Sequence, residues 1–252
     1  MKRLSALAVV HNAEALLEAC LASVAFADEI VVVLDRCTDG SKGIALARGA
    51  RIVEGAWPLE GPRRNAGLAA CTGDWILEID ADERVSEALA REIREAIADA
   101  PRGSILVPFE NRIGGATIAH GWGAYNGVSA KRCLFAAGTK TWGRGRLHPE
   151  VVQAPIVRTL RAPMIHDVYR DLPHMYERLL RYARLAGEDM AERNAIPTPV
   201  KTARRVFSRF WKSYVAREGR KEGFYGVALA LHSALYPLLS HLMALEARRR
   251  AP

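Results

Sequence analysis

The first hundred residues switch repeatedly between two hydrophobic periods. Leu4 to Val10 is a short apolar run, whereas Ala13 to Val24 places Leu16, Leu17, Cys20 and Leu21 on one helical face. Glu29 to Leu34 is a β-branched run ending at Asp35, and Thr38-Asp39-Gly40-Ser41 is turn chemistry able to cap a helix over 42–48. Arg51 to Glu54 predicts a third strand, Arg63 to Cys71 a helix, and Trp75 to Ile79 a fourth strand running into Asp80. Ser86 is placed to cap a helix through Ala98. Residues 105–157 read as short strands rich in glycine and tryptophan. Helical spacing then returns over Leu172–Met190, Thr202–Val215 and Val227–Leu245, with Ile196-Pro197-Thr198-Pro199 as a linker.

Strands alternating with helices predict an α/β fold with a mostly parallel, doubly wound sheet. Such sheets bind ligands beyond the carboxyl ends of their strands. Asn12, Asp35, Asp39, Asp80 and Asp82 all fall at or just after such an end, so the pattern gathers five polar side chains on one edge. The expected organisation is a sheet-bearing body over 1–170 and a helical extension over 171–252.

Charge supports that division. From Asp171 to Pro252 there are fifteen Lys/Arg against eight Asp/Glu, so most of the net +8 lies in the extension. A basic tail on a near-neutral body suits an anionic partner such as a membrane surface, a phosphorylated glycolipid or a nucleic acid; a solvated helical surface is the plainer alternative. Phe224 to Leu245 carries no charge and is long enough to span a bilayer, but His232, Pro237 and His241 interrupt it. It is read as a core-packed or surface-lying helix. Met1-Lys2-Arg3 before the first apolar run looks like the start of a signal peptide, but the run breaks at His11-Asn12 and is read as a buried strand. The four cysteines form no C-x-x-C pair, as expected of reduced thiols in a cytoplasmic protein.

The candidate chemistry centres on Asp80-Ala81-Asp82-Glu83. Two carboxylates two residues apart, after an apolar strand, suit Mg2+ or Mn2+ shared with substrate phosphates. A solvated acidic turn is the alternative. Asp35 and Asp39 form a second acidic pair, able to accept a base N–H or bond ribose hydroxyls, although Asp39 also suits a helix cap. Arg63-Arg64-Asn65 opens a helix and could meet a phosphate or a base, or be a surface cluster.

Taken in order, Asn12, then Asp35 to Gly40, then Arg63-Arg64-Asn65, then Gly73-Asp74-Trp75-Ile76-Leu77-Glu78-Ile79-Asp80-Ala81-Asp82-Glu83, the chain resembles glycosyltransferase family 2, whose fold is called GT-A. It is similar in particular to the branch holding lipopolysaccharide inner-core β-glucosyltransferases. Later elements fit that branch too: Arg132-x-Leu134-Phe135, Gly145 to Glu150, His166, Tyr176, Arg181-Tyr182-Ala183 and Gly223-x-x-Gly226.

The resemblance implies roles. Asp35 would contact uracil, with Asn12 and Asp39 near the nucleotide and Arg63, Arg64 and Asn65 on the donor. Asp82 would bind Mg2+ or Mn2+, Asp80 the ribose or the metal shell beside Ala81, and His166 the metal or diphosphate. Inverting transfer needs a base, for which Glu150 is the candidate, with His148 orienting it. The implied donor is a nucleotide sugar, UDP-glucose first. The implied acceptor is a lipopolysaccharide core or another glycan or lipid-linked sugar. The enzyme would be cytoplasmic, with the basic helices in peripheral contact with a membrane.

Two features depart from the family pattern. Arg36-Cys37 replaces the usual small or acidic residues after Asp35, and Pro149 separates His148 from Glu150. A Gln-x-x-Arg-Trp motif is absent, so single transfers are expected rather than polymerisation. One rival, a sugar-nucleotide nucleotidyltransferase, needs a Gly-rich first loop, and Val9-Val10-His11-Asn12-Ala13 has no glycine. Another, a non-enzymatic binder of nucleic acid through the tail, predicts steeply salt-dependent binding indifferent to Asp82.

Overall fold

A computed structural model describes residues 1–123, 128–145 and 150–250. Two compact units emerge. The first comprises Met1–Phe109 and Ala130–His166, and the second Glu110–Ser129 and the chain from Asp167 onward. The second unit thus joins residues 110–129 to the helical region.

The first unit follows the predicted alternation: β1 (Leu4–Val10), α1 (Glu14–Ser23), β2 (Glu29–Asp35), α2 (Ser41–Ala47), β3 (Arg51–Gly55), α3 (Glu60–Ala70) and β4 (Trp75–Ile79). Then come β5 (Glu83–Val85), α4 (Glu87–Asp99), β6 (Ser104–Ile113), β7 (Ala116–Thr117), β8 (Ala130–Ala136), β9 (Lys140–Trp142), β10 (Val151–Gln153), β11 (Ile156–Thr159) and β12 (Met164–Tyr169). The strand order runs β3-β2-β1-β4-β8-β6. The first four strands are parallel, and β8 pairs antiparallel with β4 and with β6. The fold is α/β, as the alternation predicted.

Period-two burial on β1 explains the layers. Leu4, Ala6, Ala8 and Val10 face one cluster with Leu17, Leu21, Leu89 and Ile93 of α1 and α4. Leu7 points the other way, into a cluster with Val31, Val33, Ile76 and Phe135. Gly67 of α3 lies against that second face; a Cβ there would sit 2.6 Å from Leu7 Cδ1 and 2.7 Å from Val33 Cγ2, so any larger residue would force those side chains to shift. Ser86 Oγ accepts the Leu89 N–H at 3.2 Å and starts α4, as expected.

In the second unit, α5 (Leu172–Glu192) and α6 (Pro199–Trp211) each pack on α7 (Gly223–Arg250). Asp171 caps α5 and Thr198 caps α6, each through its side chain. Pro199, read from sequence as linker, is instead the first residue of α6, where its fixed φ and missing N–H cost nothing. Gly187 of α5 meets α7 so closely that a Cβ would lie 2.8 Å from that of Met243. Residues 219–250 are long and apolar enough to cross a membrane by length and composition, and half of the most apolar window is buried within the protein.

Candidate active site

Parallel β1, β2 and β4 all end on one edge, and each end carries a polar residue. At the end of β1, Asn12 has a left-handed backbone (φ 51°), tolerable for asparagine. Its Oδ1 accepts the Thr38 N–H at 2.8 Å, tying β1 to the loop after β2. Asp39 accepts the Glu14 N–H at 2.9 Å and the Ser41 N–H at 3.1 Å, so it starts both α1 and α2. The N-cap positions themselves are Ala13 for α1 and Gly40 for α2, so Asp39 supports both helix starts from outside the cap position.

Asp35 is fully buried at the end of β2. Its carboxylate accepts Arg36 Nε at 3.0 Å, Arg36 Nη2 at 2.9 Å, the Trp57 amide at 3.0 Å and Arg63 Nη1 at 3.0 Å. Burial raises its pKa, but Arg36, the Trp57 N–H and Arg63 outweigh burial and hold the carboxyl below its ordinary range. Arg36 folds back on its neighbour because it too has φ above zero (53°), a strained conformation for a long side chain. A base N–H reaching Asp35 would have to replace one of these donors.

The Asp80 to Glu83 segment is a tight turn between β4 and β5. The Glu83 N–H donates to Asp80 O at 2.9 Å, and the Asp80 N–H to Glu83 Oε2 at 3.0 Å. Ala81 packs its methyl on the main core cluster, which anchors the turn. Asp80 takes Arg64 Nη2 at 3.1 Å and Lys131 Nζ at 3.3 Å. Lys131 also contacts Glu83, which is 1% exposed. Burial works against the charge on Asp80, but Arg64 and Lys131 overcome it and keep the group ionised. Burial and the nearby Asp80 push Glu83 the other way, to a raised pKa, against the pull of Lys131 and His166.

β5, a three-residue strand that periodicity could not reveal, completes the site. It pairs antiparallel with β12, and Glu83 stands directly opposite His166. Asp82, Glu83 and His166 thereby offer three ligand atoms within 4.8 Å of one another. His166 Nε2 lies 3.8 Å from Asp82 Oδ2, and the edge of its ring meets Phe109 at 5.7 Å. Two carboxylates and one imidazole suit a hard or borderline divalent ion, and the nitrogen favours Mn2+ over Mg2+. So Asp82 and His166, singled out from the sequence, come together. Asp80 is drawn to Arg64 and Lys131, and Glu83 supplies the third donor.

Beside the turn lies a cavity of about 250 Å3 lined by Arg64, Glu78, Asp80, Lys131, Lys140 and Trp142, among others. Glu78 is 5% exposed inside an otherwise apolar strand, and is met there by Lys140 and by Trp142 Nε1 at 3.0 Å. Arg64 and Lys140 each lie 4.7 Å from the Trp142 ring centre. Asn65 clamps the same strand: it donates to Trp142 O at 2.8 Å and accepts the Trp142 N–H at 2.9 Å. Sequence reasoning missed Glu78, Lys131, Lys140 and Trp142. A lone Glu inside Trp-Ile-Leu-Glu-Ile was the available signal, since a buried carboxylate demands a cation. Glu150 is exposed just before β10, and its carbonyl accepts the Gly143 N–H at 2.7 Å. His148 lies outside the described residues.

A parallel α/β half that continues into antiparallel strands, with carboxylates gathered where the parallel strands end, is the GT-A arrangement of glycosyltransferases. The chain belongs to glycosyltransferase family 2, whose model, "Glycosyl transferase family 2", matches residues 5–143. It is similar to an uncharacterized glycosyltransferase of Rickettsia typhi, at 33% identity over 99 residues, 39% of this chain and 34% of that protein. It is also similar to the lipopolysaccharide core biosynthesis glycosyltransferase LpsC of Rhizobium meliloti, at 34% identity over 104 residues, 38% of this chain and 37% of the relative. These matches thus span about a third of the relatives' length. Among solved structures, it is similar to glucosyl-3-phosphoglycerate synthase of Mycobacterium tuberculosis in complex with Mn2+, uridine diphosphate and glucosyl-3-phosphoglycerate. That similarity has 25% identity, a TM-score of 0.38 and 45% coverage of each chain.

Proposed function

We propose that this chain is an inverting glycosyltransferase that moves a single sugar from a nucleotide-sugar donor, UDP-glucose in the first instance, to a lipopolysaccharide core or another glycan or lipid-linked acceptor. The observation that carries the reading is the Asp82, Glu83 and His166 cluster on the ligand-binding edge of a family 2 sheet. Those three residues would hold Mg2+ or Mn2+, which when bound offsets the charge developing on a diphosphate leaving group. Arg64 and Lys131 fix Asp80 in its ionised form, so its oxygens can accept hydroxyls of the donor. Glu150, exposed beside β10, is the base proposed to take the proton from the acceptor hydroxyl. The acceptor class rests on the resemblance to inner-core transferases and on the LpsC match. A cytoplasmic location for the reaction is part of the same proposal.

A panel of UDP- and GDP-sugars tests the donor. With Mn2+ present, thermal shift should single out UDP-glucose, and slow hydrolysis to UDP should accompany it. If no sugar nucleotide in the panel raises the melting temperature, the reading fails.

A further inference from the structure

The helical unit carries an exposed surface that holds none of the candidate site residues. On α6, Val200 is 80% exposed, Phe207 77% and Trp211 62%. At 100° per residue these three fall within about 40° of arc, so they form one stripe along the helix. The opposite face is fixed inward: Thr202 is 3% exposed, and its Oγ1 meets His241 Nδ1 of α7 at 3.2 Å. The stripe therefore cannot rotate into the core. Charge flanks it on one side. Lys201, Arg204 and Arg205 are exposed, and from Arg193 to Arg217 the chain has seven Lys/Arg and no Asp/Glu.

Aromatic and aliphatic side chains in solvent, beside a wholly cationic flank, are what an interfacial helix presents to a bilayer. We propose that α6 is a membrane-docking helix that lies flat on an anionic lipid surface, with Val200, Phe207 and Trp211 among the acyl chains and Lys201, Arg204 and Arg205 on the headgroups. Charge complementarity selects an anionic bilayer, because a neutral surface leaves the cations without a role. The inference stands apart from the donor and acceptor reading, and would bring any lipid-linked substrate and the enzyme to the same plane.

Co-sedimentation of the full chain with lipid vesicles tests it. Binding to phosphatidylcholine vesicles containing phosphatidylglycerol should exceed binding to phosphatidylcholine alone by about tenfold or more, since each basic residue near an anionic surface contributes roughly a factor of five. High salt should erase most of that difference. The F207S/W211S variant should bind anionic vesicles at least about tenfold more weakly, while its far-UV spectrum and melting temperature stay at wild-type values, because both side chains are already in solvent. R204E/R205E should lose the preference for anionic lipid. Equal binding to both vesicle types overturns the proposal, as does wild-type binding by F207S/W211S. So does a wild-type protein that ignores vesicles but forms a dimer, or binds single-stranded oligonucleotide, through the same residues.

Discussion

The Asn65 side chain holds β9 through both of its polar atoms. Replacing it with Ala removes one donor and one acceptor from the Trp142 backbone. Each such bond contributes about 1 kcal/mol net, so the pair is worth about 2 kcal/mol. The consequence extends beyond the clamp. Trp142 also donates to buried Glu78, and Arg64 and Lys140 lie near its ring, so loosening β9 opens the Glu78–Lys140 pair to water. Asn65→Asp keeps the acceptor for the Trp142 N–H but sets a carboxylate against the Trp142 carbonyl, and should cost at least as much. Urea unfolding followed by tryptophan fluorescence checks this: both variants should show a lower midpoint with an unchanged slope. An Asn65→Ala protein of wild-type stability whose affinity for UDP-glucose falls more than about tenfold would overturn this role, because Asn65 would then be spending its hydrogen bonds on the donor.

Three further outcomes follow from particular contacts. A Cβ on Gly61 would sit 1.7 Å from the Gly143 carbonyl oxygen, so Gly61→Ala should destabilise by about 2 kcal/mol as α3 is forced off that segment, measured by the same urea assay. Burial first, and Arg178 second, lower the His232 pKa from 6.5 to about 4. The native state therefore disfavours the charged ring, and its contribution is complete above pH 6.5 and lost as pH falls towards 4. Up to about 3 kcal/mol more should disappear over that window in wild type than in His232→Phe, read as the difference in urea midpoints across pH. Finally, Arg36→Gly relieves a positive φ and releases two of the four donors on Asp35. If Asp35 reads uracil, calorimetry should show UDP affinity rising by about tenfold, equal to roughly 1.4 kcal/mol; unchanged affinity assigns Asp35 to structure alone.

Local order was written plainly in the sequence. Period-two and period-3.6 runs placed β1 to β4 and α1 to α5 within a few residues, because each element buries one face or both. The edge carrying Asn12, Asp35 and Asp80 followed from strand direction. What stayed hidden depends on contacts between distant residues. β5 is three residues long and exists through pairing with β12, where Glu83 meets His166 far along the chain. That pairing brings Glu83 to His166, so the third member of the cluster could not be read from Asp80-Ala81-Asp82 alone. Lys131 reaches Asp80 and Glu83 from a strand whose sequence carries no sign of a counter-ion role. Polar side chains at strand ends and helix starts serve both backbone and substrates, so the backbone partners of Asp39 and Asn65 could not be read from their positions alone.

At the centre of the proposed function, Asp82, Glu83 and His166 act together on a divalent ion and a nucleotide sugar. Calorimetric titration of UDP-glucose, with and without Mn2+, into wild type, Asp82→Asn and His166→Ala is the direct measurement. Wild type should bind the donor about tenfold or more tightly with Mn2+, and each variant should lose that increment while keeping its metal-free affinity and its fold. Donor binding indifferent to Mn2+ in wild type, or an undiminished Mn2+ effect in Asp82→Asn, would contradict the account.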